Sequence, residues 1–490
     1  MTNIRKLFIA NRAEIALRIV RTARRLDIAT VVPWHHQDPF GPARLEADET
    51  VEVFGDPPVA AWLDIPGIVR AALESGCDAI HPGYGFLSEN AGFARAVTQA
   101  GLTFVGPPAA VIELMGDKIS ARRFALAHDV PVAASADEAE DPSTFAERAR
   151  AVGFPLLIKG AAGGGGKGMQ IVRREQGLAE AIALARAESQ RYFGDGRLFA
   201  ERFVERPRHI EVQVFGDTRG QVIHLGEREC SIQRRFQKLI EESPAPSLHS
   251  GLRDRICRAA VRLAAAAGYV NAGTVECLVS PSGEFFFLEM NTRLQVEHPV
   301  TEMVTGLDLV ELQLRVAQGE PLPIGQGEVR CGGHAIECRI LAEDADAGFV
   351  PDTGKLLLLR TPAGPGVRFD CGVSEGAPVT AAFDSMLAKL VVHGADRSLA
   401  ISRMCSALAE TVMLGVTINN GFLARVLRHP AFARGETDTG FLERHKRELA
   451  PAAPSAGERQ AVLAVAASAN PDLAPTRVPE PYASMGAWRN

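Results

Sequence analysis

Up to about Met115 the chain alternates short apolar runs (KLFIA, TVVPW, ETVEVF, DAIHP, TFVG) with stretches of helical period such as EIALRIVRTARRL and IPGIVRAALESG. That alternation predicts parallel strands joined by crossover helices, an α/β doubly wound domain over residues 1–115. From there to about residue 328 the strands change character: FPLLIKG, MQIVR, RHIEVQVFGD, QVIHLGERECSI, GTVECLVS and GEFFFLEMN, several joined by turn signals, predict an α+β region built on antiparallel sheet. Residues 329–446 read as further strands (HAIECRILAE, GKLLLLRTP, AKLVVHG) followed by the helical SLAISRMCSALAETVML. Residues 447–490, rich in Ala and Pro, read as a linker or tail with at most one short helix.

A length of 490 residues exceeds what one hydrophobic core serves and is consistent with about three domains of ~150 residues each. A formal net charge of −6 gives no basic excess, so a nucleic-acid partner is not expected. No apolar stretch approaches the ~20 residues of a membrane span, and the opening MTNIRKLFIANRAEIALRIV reads as a strand running into a helix rather than a signal segment. The eight cysteines are dispersed without a CxxC pair, which predicts reduced thiols in a cytoplasmic protein. The first strand is followed by ANRAEIA, without the GxGxxG of a dinucleotide turn, so a nicotinamide cofactor is disfavoured.

Candidate chemistry gathers in three places. The glycine-dense run from Gly160 to Met169 leaves backbone N–H groups free to approach anionic oxygens, with Lys159 before it and Lys167 within it. It suits a phosphate loop, and a flexible linker is the plain alternative. In GTVECLVSPSGEFFFLEMN two strands flank a Pro-Ser-Gly turn; strand parity sets Glu289 and Asn291 on one face and Phe286, Leu288 and Met290 on the other, with Glu276 at matching depth on the partner strand. Such oxygen donors suit Mg²⁺ holding triphosphate oxygens, against the alternative of a solvated polar face. An earlier polar cluster, Arg228–Lys238 with Glu241 and Glu242, mixes cations and carboxylates beyond what solubility needs, and the segment Thr292 to Pro299 crowds Arg293, Gln295, Glu297 and His298 into a loop without helical period. Such loops hold sites more often than they decorate surfaces.

HPGYGFLSEN, LMGDK, KGAAGGGGKGM, ERPRHIEVQV, ECSIQRRFQKLIEE, EMNTRLQVEHPVTEM and ECRILAED together resemble biotin carboxylase, from about Ile4 to His445. The resemblance implies an N-terminal doubly wound domain, an ATP-grasp core with a mobile glycine-rich lid at about residues 132–204, and a C-terminal α+β domain. It implies ATP, Mg²⁺ or Mn²⁺, bicarbonate and carrier-bound biotin as ligands. By position, Lys118 and Lys159 would contact phosphates beneath Gly163, Gly164, Gly165 and Gly166, while Met169, Glu201, Val204, His209, Gln233 and Leu278 would complete the nucleotide pocket. Glu276, Glu289 and Asn291 would hold the metal. Lys238, Arg293, Gln295 and Val296 would hold bicarbonate, Glu297 would be the general base, and Arg339 with Arg293 would stabilise the biotin anion near Tyr84 and Gly85. Implied partners are a biotin carboxyl carrier protein or domain, a carboxyltransferase subunit and a second copy of the chain.

Three positions depart from that pattern: Phe236 stands where a His is usual, Ala13 where a Gly is, and Ile418 where a Thr is. The pair His35–His36 lacks further ligands and reads as a surface or packing feature. A different ATP-grasp ligase, such as a carbamoyl-phosphate or purine-pathway carboxylating enzyme, would share the lid and metal residues but not NTRLQVEHPVTE. A non-enzymatic subunit, motivated by Phe236, would not retain the rest of the set.

Overall fold

The computed structural model describes residues 3–138, 141–161, 169–453 and 455–469. Gly163 to Gly166 and Lys167 lie outside the described residues, as does the chain from residue 470 onward. The chain divides into two compact units, Met1–Leu449 and Ala450–Asn490. In the second, residues Ala456–Ala469 form a helix.

The first unit opens with β1 (Lys6–Ile9), helix α1 (Ala13–Arg25), β2 (Ala29–Trp34), β3 (Glu49–Glu52), β4 (Ala79–His81) and β5 (Thr103–Phe104). These strands form a parallel sheet in the order β3-β2-β1-β4-β5. A parallel sheet is covered on both faces, which is why KLFI is apolar throughout rather than alternating. Helix α1 buries Ile15, Ala16, Ile19, Val20 and Ala23, the spacing of a single helical face. The expected doubly wound arrangement is the one observed. His35 is fully buried, with Nε2 3.1 Å from the Gly55 carbonyl and its ring 4.2 Å from that of His36; it is a packing residue.

Beyond this lie β6 (Ser135–Asp137), β7 (Leu156–Gly160), β8 (Gln170–Val172) and β9 (Leu198–Arg202), a four-stranded antiparallel sheet. Then come β10 (Arg208–Gly216), β11 (Val222–Arg234), β12 (Gln237–Ser243), β13 (Asn271–Val279), β14 (Phe285–Asn291) and β15 (His334–Leu341). With the later strands Met386–Gly394 and Val367–Cys371 they make one eight-stranded antiparallel sheet, ordered β14-β13-β10-β11-β12-β15 and then those two. Strands from before and after residue 329 therefore share a sheet, through β12 and β15.

Three local expectations change. GKLLLLRTP is not one strand: Gly354–Lys355 pairs with Pro378–Val379, Leu358–Arg360 pairs with Val412–Leu414, and the chain changes partners at the fully buried Leu356. β12 was hidden by its polar sequence, because Glu241 and Glu242 are buried carboxylates rather than surface charges. The parity expected along FFFLEMN holds for Glu289, Asn291 and Met290 but fails at Leu288. Glu276 and Cys277 are adjacent on β13, yet they pair with Glu289 and Phe287, so Leu288 is an extra residue in β14. This bulge sends Phe287 and Met290 to the same core and leaves Leu288 on the side of Glu289.

At the start of α1, Ala13 has φ +56°. An L-residue there carries a left-handed penalty of roughly 1–2 kcal/mol, against about 0.5–1 kcal/mol of extra chain entropy for glycine. Ala13→Gly is therefore expected to raise unfolding free energy by roughly 0.5–1 kcal/mol in denaturant titration, small but of definite sign.

Candidate active site

Strand register builds the site. On β10, His209, Glu211 and Gln213 share one face opposite Ile210, Val212 and Val214, which enter the core. Glu211 lies directly across from Arg228 on β11 and from Glu276 on β13, and Glu276 lies across from Glu289 on β14. A row of alternating and like charges thus crosses four strands at one level. Its Glu276 and Glu289 line a cavity of about 590 Å³.

Into that row reaches Lys238 from β12. Its ammonium pairs with Glu211, with Glu276 at 2.9 Å and with Glu297 at 2.6 Å. Burial disfavours the charge, but the three carboxylates outweigh it and hold Lys238 well above its usual range. Arg228, fully buried, pairs with Glu211 and donates to Gln213 (2.8 Å), Thr301 (3.0 Å) and Gln295 (2.6 Å). Gln295 in turn donates to Glu276 at 2.7 Å. Burial raises Glu276, yet Lys238 and His209 (2.7 Å away) draw it well below the carboxylate range. The same partner raises His209 despite its burial. Glu297 is likewise lowered against its burial by Lys238 and by Arg339, which is 3.0 Å away and is itself held by Glu241 at 2.7 Å.

At the other end, Lys118 lies 3.5 Å from Glu289, and Lys159 shares the buried Glu201 with Arg122. With both its oxygens so engaged, Glu201 lies low in its titration in spite of burial. Met169, Val204, Gln233 and Leu278 line the same cavity. Glu276, Glu289 and Asn291 present only oxygen donors and one amide, the set a hard divalent cation takes; Asn291 Oδ1 accepts from Arg293 at 3.0 Å, and Glu289 is the half-buried, least committed carboxylate. Arg293 is tied to Glu89 at 3.0 Å. Val296 lines the cavity too, with its carbonyl accepting from Lys389 at 2.8 Å.

Tyr84 and Gly85 sit in the loop after β4, outside the lining of this cavity; Lys389 Nζ is 5.7 Å from the Tyr84 ring. Phe236 projects from a two-residue turn between Arg234 and Gln237, and both turn residues, Arg235 (φ +49°) and Phe236 (φ +68°), are left-handed. The ring is 57% exposed at the cavity wall, so an aromatic face replaces a polar one there. The sequence placed Arg228 in a candidate polar cluster without a role, and gave no role to Glu211, Gln213, Glu89 or Lys389. Glu211 was detectable as the middle of a polar face, His209-Glu211-Gln213, in an otherwise apolar strand; Glu89 stood inside HPGYGFLSEN without being given a role, and Lys389 comes from a distant segment and left no local signal.

A second ligand-like group, His429, His445 and Glu448, lies elsewhere. His429 Nδ1 accepts from the Ala431 N–H, which leaves the Nε2 proton to donate to Glu448 at 2.6 Å. That tautomer offers no lone pair to a metal.

Family models match almost end to end: the biotin carboxylase N-terminal domain over residues 3–112, the carbamoyl-phosphate synthase L chain ATP-binding domain over 117–325, and the biotin carboxylase C-terminal domain over 337–444. Biotin carboxylase of Halalkalibacterium halodurans is 47% identical over 443 residues, 90% of this chain and 98% of that protein. The mitochondrial methylcrotonoyl-CoA carboxylase subunit alpha of Oryza sativa subsp. japonica is 47% identical over 449 residues, 91% of this chain but 61% of its own length. The chain thus spans about three fifths of that relative. The biotin carboxylase domain dimer of the Hydrogenobacter thermophilus 2-oxoglutarate carboxylase, solved with MgADP, ADP and bicarbonate, superposes with a TM-score of 0.89 at 41% identity, covering 92% of this chain and 99% of that one.

Arg228 is the group whose loss is least replaceable, because Glu211 and Gln295 would be left buried without it. Arg228→Met is expected to lower unfolding free energy by about 3–5 kcal/mol, the scale for breaking a buried pair from one side, as read by urea denaturation.

Proposed function

The chain belongs to the biotin carboxylase family, and on that premise we propose that it carboxylates biotin on a carrier with ATP and bicarbonate, through the cavity residues in the roles that follow. The observation that carries this reading is the continuity of one cavity from a cationic, oxygen-donor end (Lys118, Lys159, Glu276, Glu289, Asn291) to an anion-holding end (Lys238, Arg293, Gln295, Glu297, Arg339).

ATP lies with its base along Met169, Val204, His209, Gln233 and Leu278 and its phosphates toward Lys118 and Lys159. Glu276, Glu289 and Asn291 would hold Mg²⁺, which would supply charge neutralisation at the triphosphate oxygens. Bicarbonate is held by Lys238, Arg293 and Gln295, with Val296 offering backbone. In the absence of bicarbonate Glu297 is a weak base, since two cations face it. An arriving anion shares Lys238 with it and so lifts its proton affinity at the moment a proton must be taken. Glu297 then accepts the bicarbonate proton while the freed oxygen attacks the γ-phosphorus and ADP leaves. The resulting carboxyphosphate breaks into CO₂ and phosphate. Phosphate takes the ureido proton of biotin, and the biotin anion, stabilised by Arg293 and Arg339, attacks CO₂.

The wider assembly follows from the relatives. A biotin carboxyl carrier, a carboxyltransferase and a second copy of the chain are the proposed partners, and the carboxyltransferase selects the final acceptor. Among the described residues no helix is long and apolar enough to cross a membrane. All eight cysteines are free thiols, which favours the reducing setting of the cytoplasm.

Bicarbonate-dependent ADP release by the purified chain, stimulated by free biotin or a biotinylated carrier domain, is the deciding assay; release indifferent to biotin would point to another ATP-grasp ligase. Glu289→Gln is expected to lower turnover beyond the roughly 10–100-fold that loss of a metal's outer-shell partner brings. Phe236→His is expected to lower the KM for ATP about fivefold, one hydrogen bond of ~1 kcal/mol; an unchanged KM would mean that the pocket has rearranged around the phenyl ring.

A further inference from the structure

Behind Arg339 lies a pair of carboxylates that the reaction above does not use. Glu241 on β12 and Glu337 on β15 are cross-strand partners, and both are fully buried. Glu241 Oε1 accepts from Arg339 Nε at 2.7 Å. Its other oxygen, and both oxygens of Glu337, are shut away from solvent without a hydrogen-bond partner. Two carboxylates side by side in such a place do not both ionise.

The surrounding charges do not relieve them. On the sheet the neighbours are Arg339 beside Glu337, Lys238 and Cys230 on the Glu241 side, and Lys389 on the next strand. The helix His298–Thr305, whose Val300 and Val304 pack on Ala335 and Val391, brings Glu297, His298 and Glu302, and α1 brings Glu14. Arg339 already serves Glu241 and Glu297, and Lys389 serves Glu14 and the Val296 carbonyl. His298 adds no charge, since burial and then Lys389 hold it well below its usual range. Among the described residues no cation pairs with Glu337, and Lys389 only partly opposes its burial.

We propose that Glu241 and Glu337 share a single proton and act as positioning residues, one oxygen of Glu241 fixing the Arg339 guanidinium while the neutral partner leaves its charge available to an anion in the cavity. With both ionised, Arg339 would be over-neutralised by Glu241, Glu337 and Glu297 together. With both protonated, it would lose the charged acceptor that fixes its orientation. Only the singly protonated pair supplies anchor and free charge at once. Burial, with Arg339 only partly opposing it, pushes Glu241 up to about 7, and burial lifts Glu337 well above the carboxylate range. These are raised acids: as pH rises the pair passes from two protons to one and then to none, and the last loss adds negative charge behind Arg339 and weakens anion binding.

The inference rests on the proposed role of Arg339 toward bicarbonate and biotin, so its first test does not depend on turnover. Infrared difference spectra of the full chain at neutral pH, wild type minus Glu337→Gln and wild type minus Glu241→Gln, are each expected to show a protonated-carboxyl C=O band belonging to the wild type. Differences that contain only ionised-carboxylate bands, or a protonated band that survives either substitution, would overturn the shared proton. The second test is kinetic. Corrected for bicarbonate's equilibrium with CO₂, the KM for bicarbonate of the wild type is expected to rise, by as much as about tenfold per pH unit, above neutrality, while kcat moves less. Glu337→Gln, which keeps the shape and fixes the neutral state, should flatten that rise. The same rise in both proteins would refute the positioning role even with the infrared result intact, and a chain that folds but turns over no biotin would fail the functional reading while leaving the infrared result to stand or fall alone.

Discussion

One ammonium group, Lys238, holds three carboxylates that come from three separate elements: Glu211 from β10, Glu276 from β13 and Glu297 from the turn into the helix at His298. Each carboxylate is almost fully buried, and without the lysine the three would repel one another in a medium that screens poorly. The register of four strands and the placement of the loop at Thr292–Glu297 are therefore coupled to one cation. Arg228 closes the arrangement from beneath, since it binds Glu211 on one side and Gln295 on the other.

This coupling also explains why the cavity is poised rather than inert. The acids facing the anion end are held ionised by cations that a substrate anion would share, so binding redistributes charge already in place instead of importing it. The nucleotide end works differently. There Glu201 is fully engaged by Lys159 and Arg122, while Glu289 keeps only a distant approach to Lys118. Fixed and uncommitted carboxylates thus stand side by side, the first shaping the pocket and the second available to a cation.

Much of this was legible in the sequence because motif and register coincide. EMNTRLQVEHPVTEM and ECRILAED named residues that the fold does bring to one cavity, while Tyr84 and Gly85 of HPGYGFLSEN stay outside its lining, and the alternation of strand and helix patterns over the first 115 residues is enough by itself to specify a parallel sheet. What escaped did so for physical reasons. A bulge at Leu288 breaks strand parity, and parity was the basis for assigning faces along FFFLEMN. β12 was not read as a strand because strand propensity rests on apolar alternation, which the buried Glu241 and Glu242 break. Lys389 and Glu89 reach the site through tertiary contact alone, over sequence separations of 93 residues to Val296 and 204 to Arg293.

The strand pairing of β12 with β15 has a consequence for how the chain acquires its fold. β10 through β14 can hydrogen-bond to one another as soon as residue 291 is available, yet the outer edge of β12 waits for residues 334–341, and those in turn for the strand at Met386–Gly394. During that interval Glu241 is present on an edge strand without Arg339, its counter-ion, and Glu297 has Lys238 but not Arg339. Water must solvate them until the last strands dock, so the barrier to folding contains the dehydration of those acids, and closure of the charge web is a late, long-range event rather than a local one.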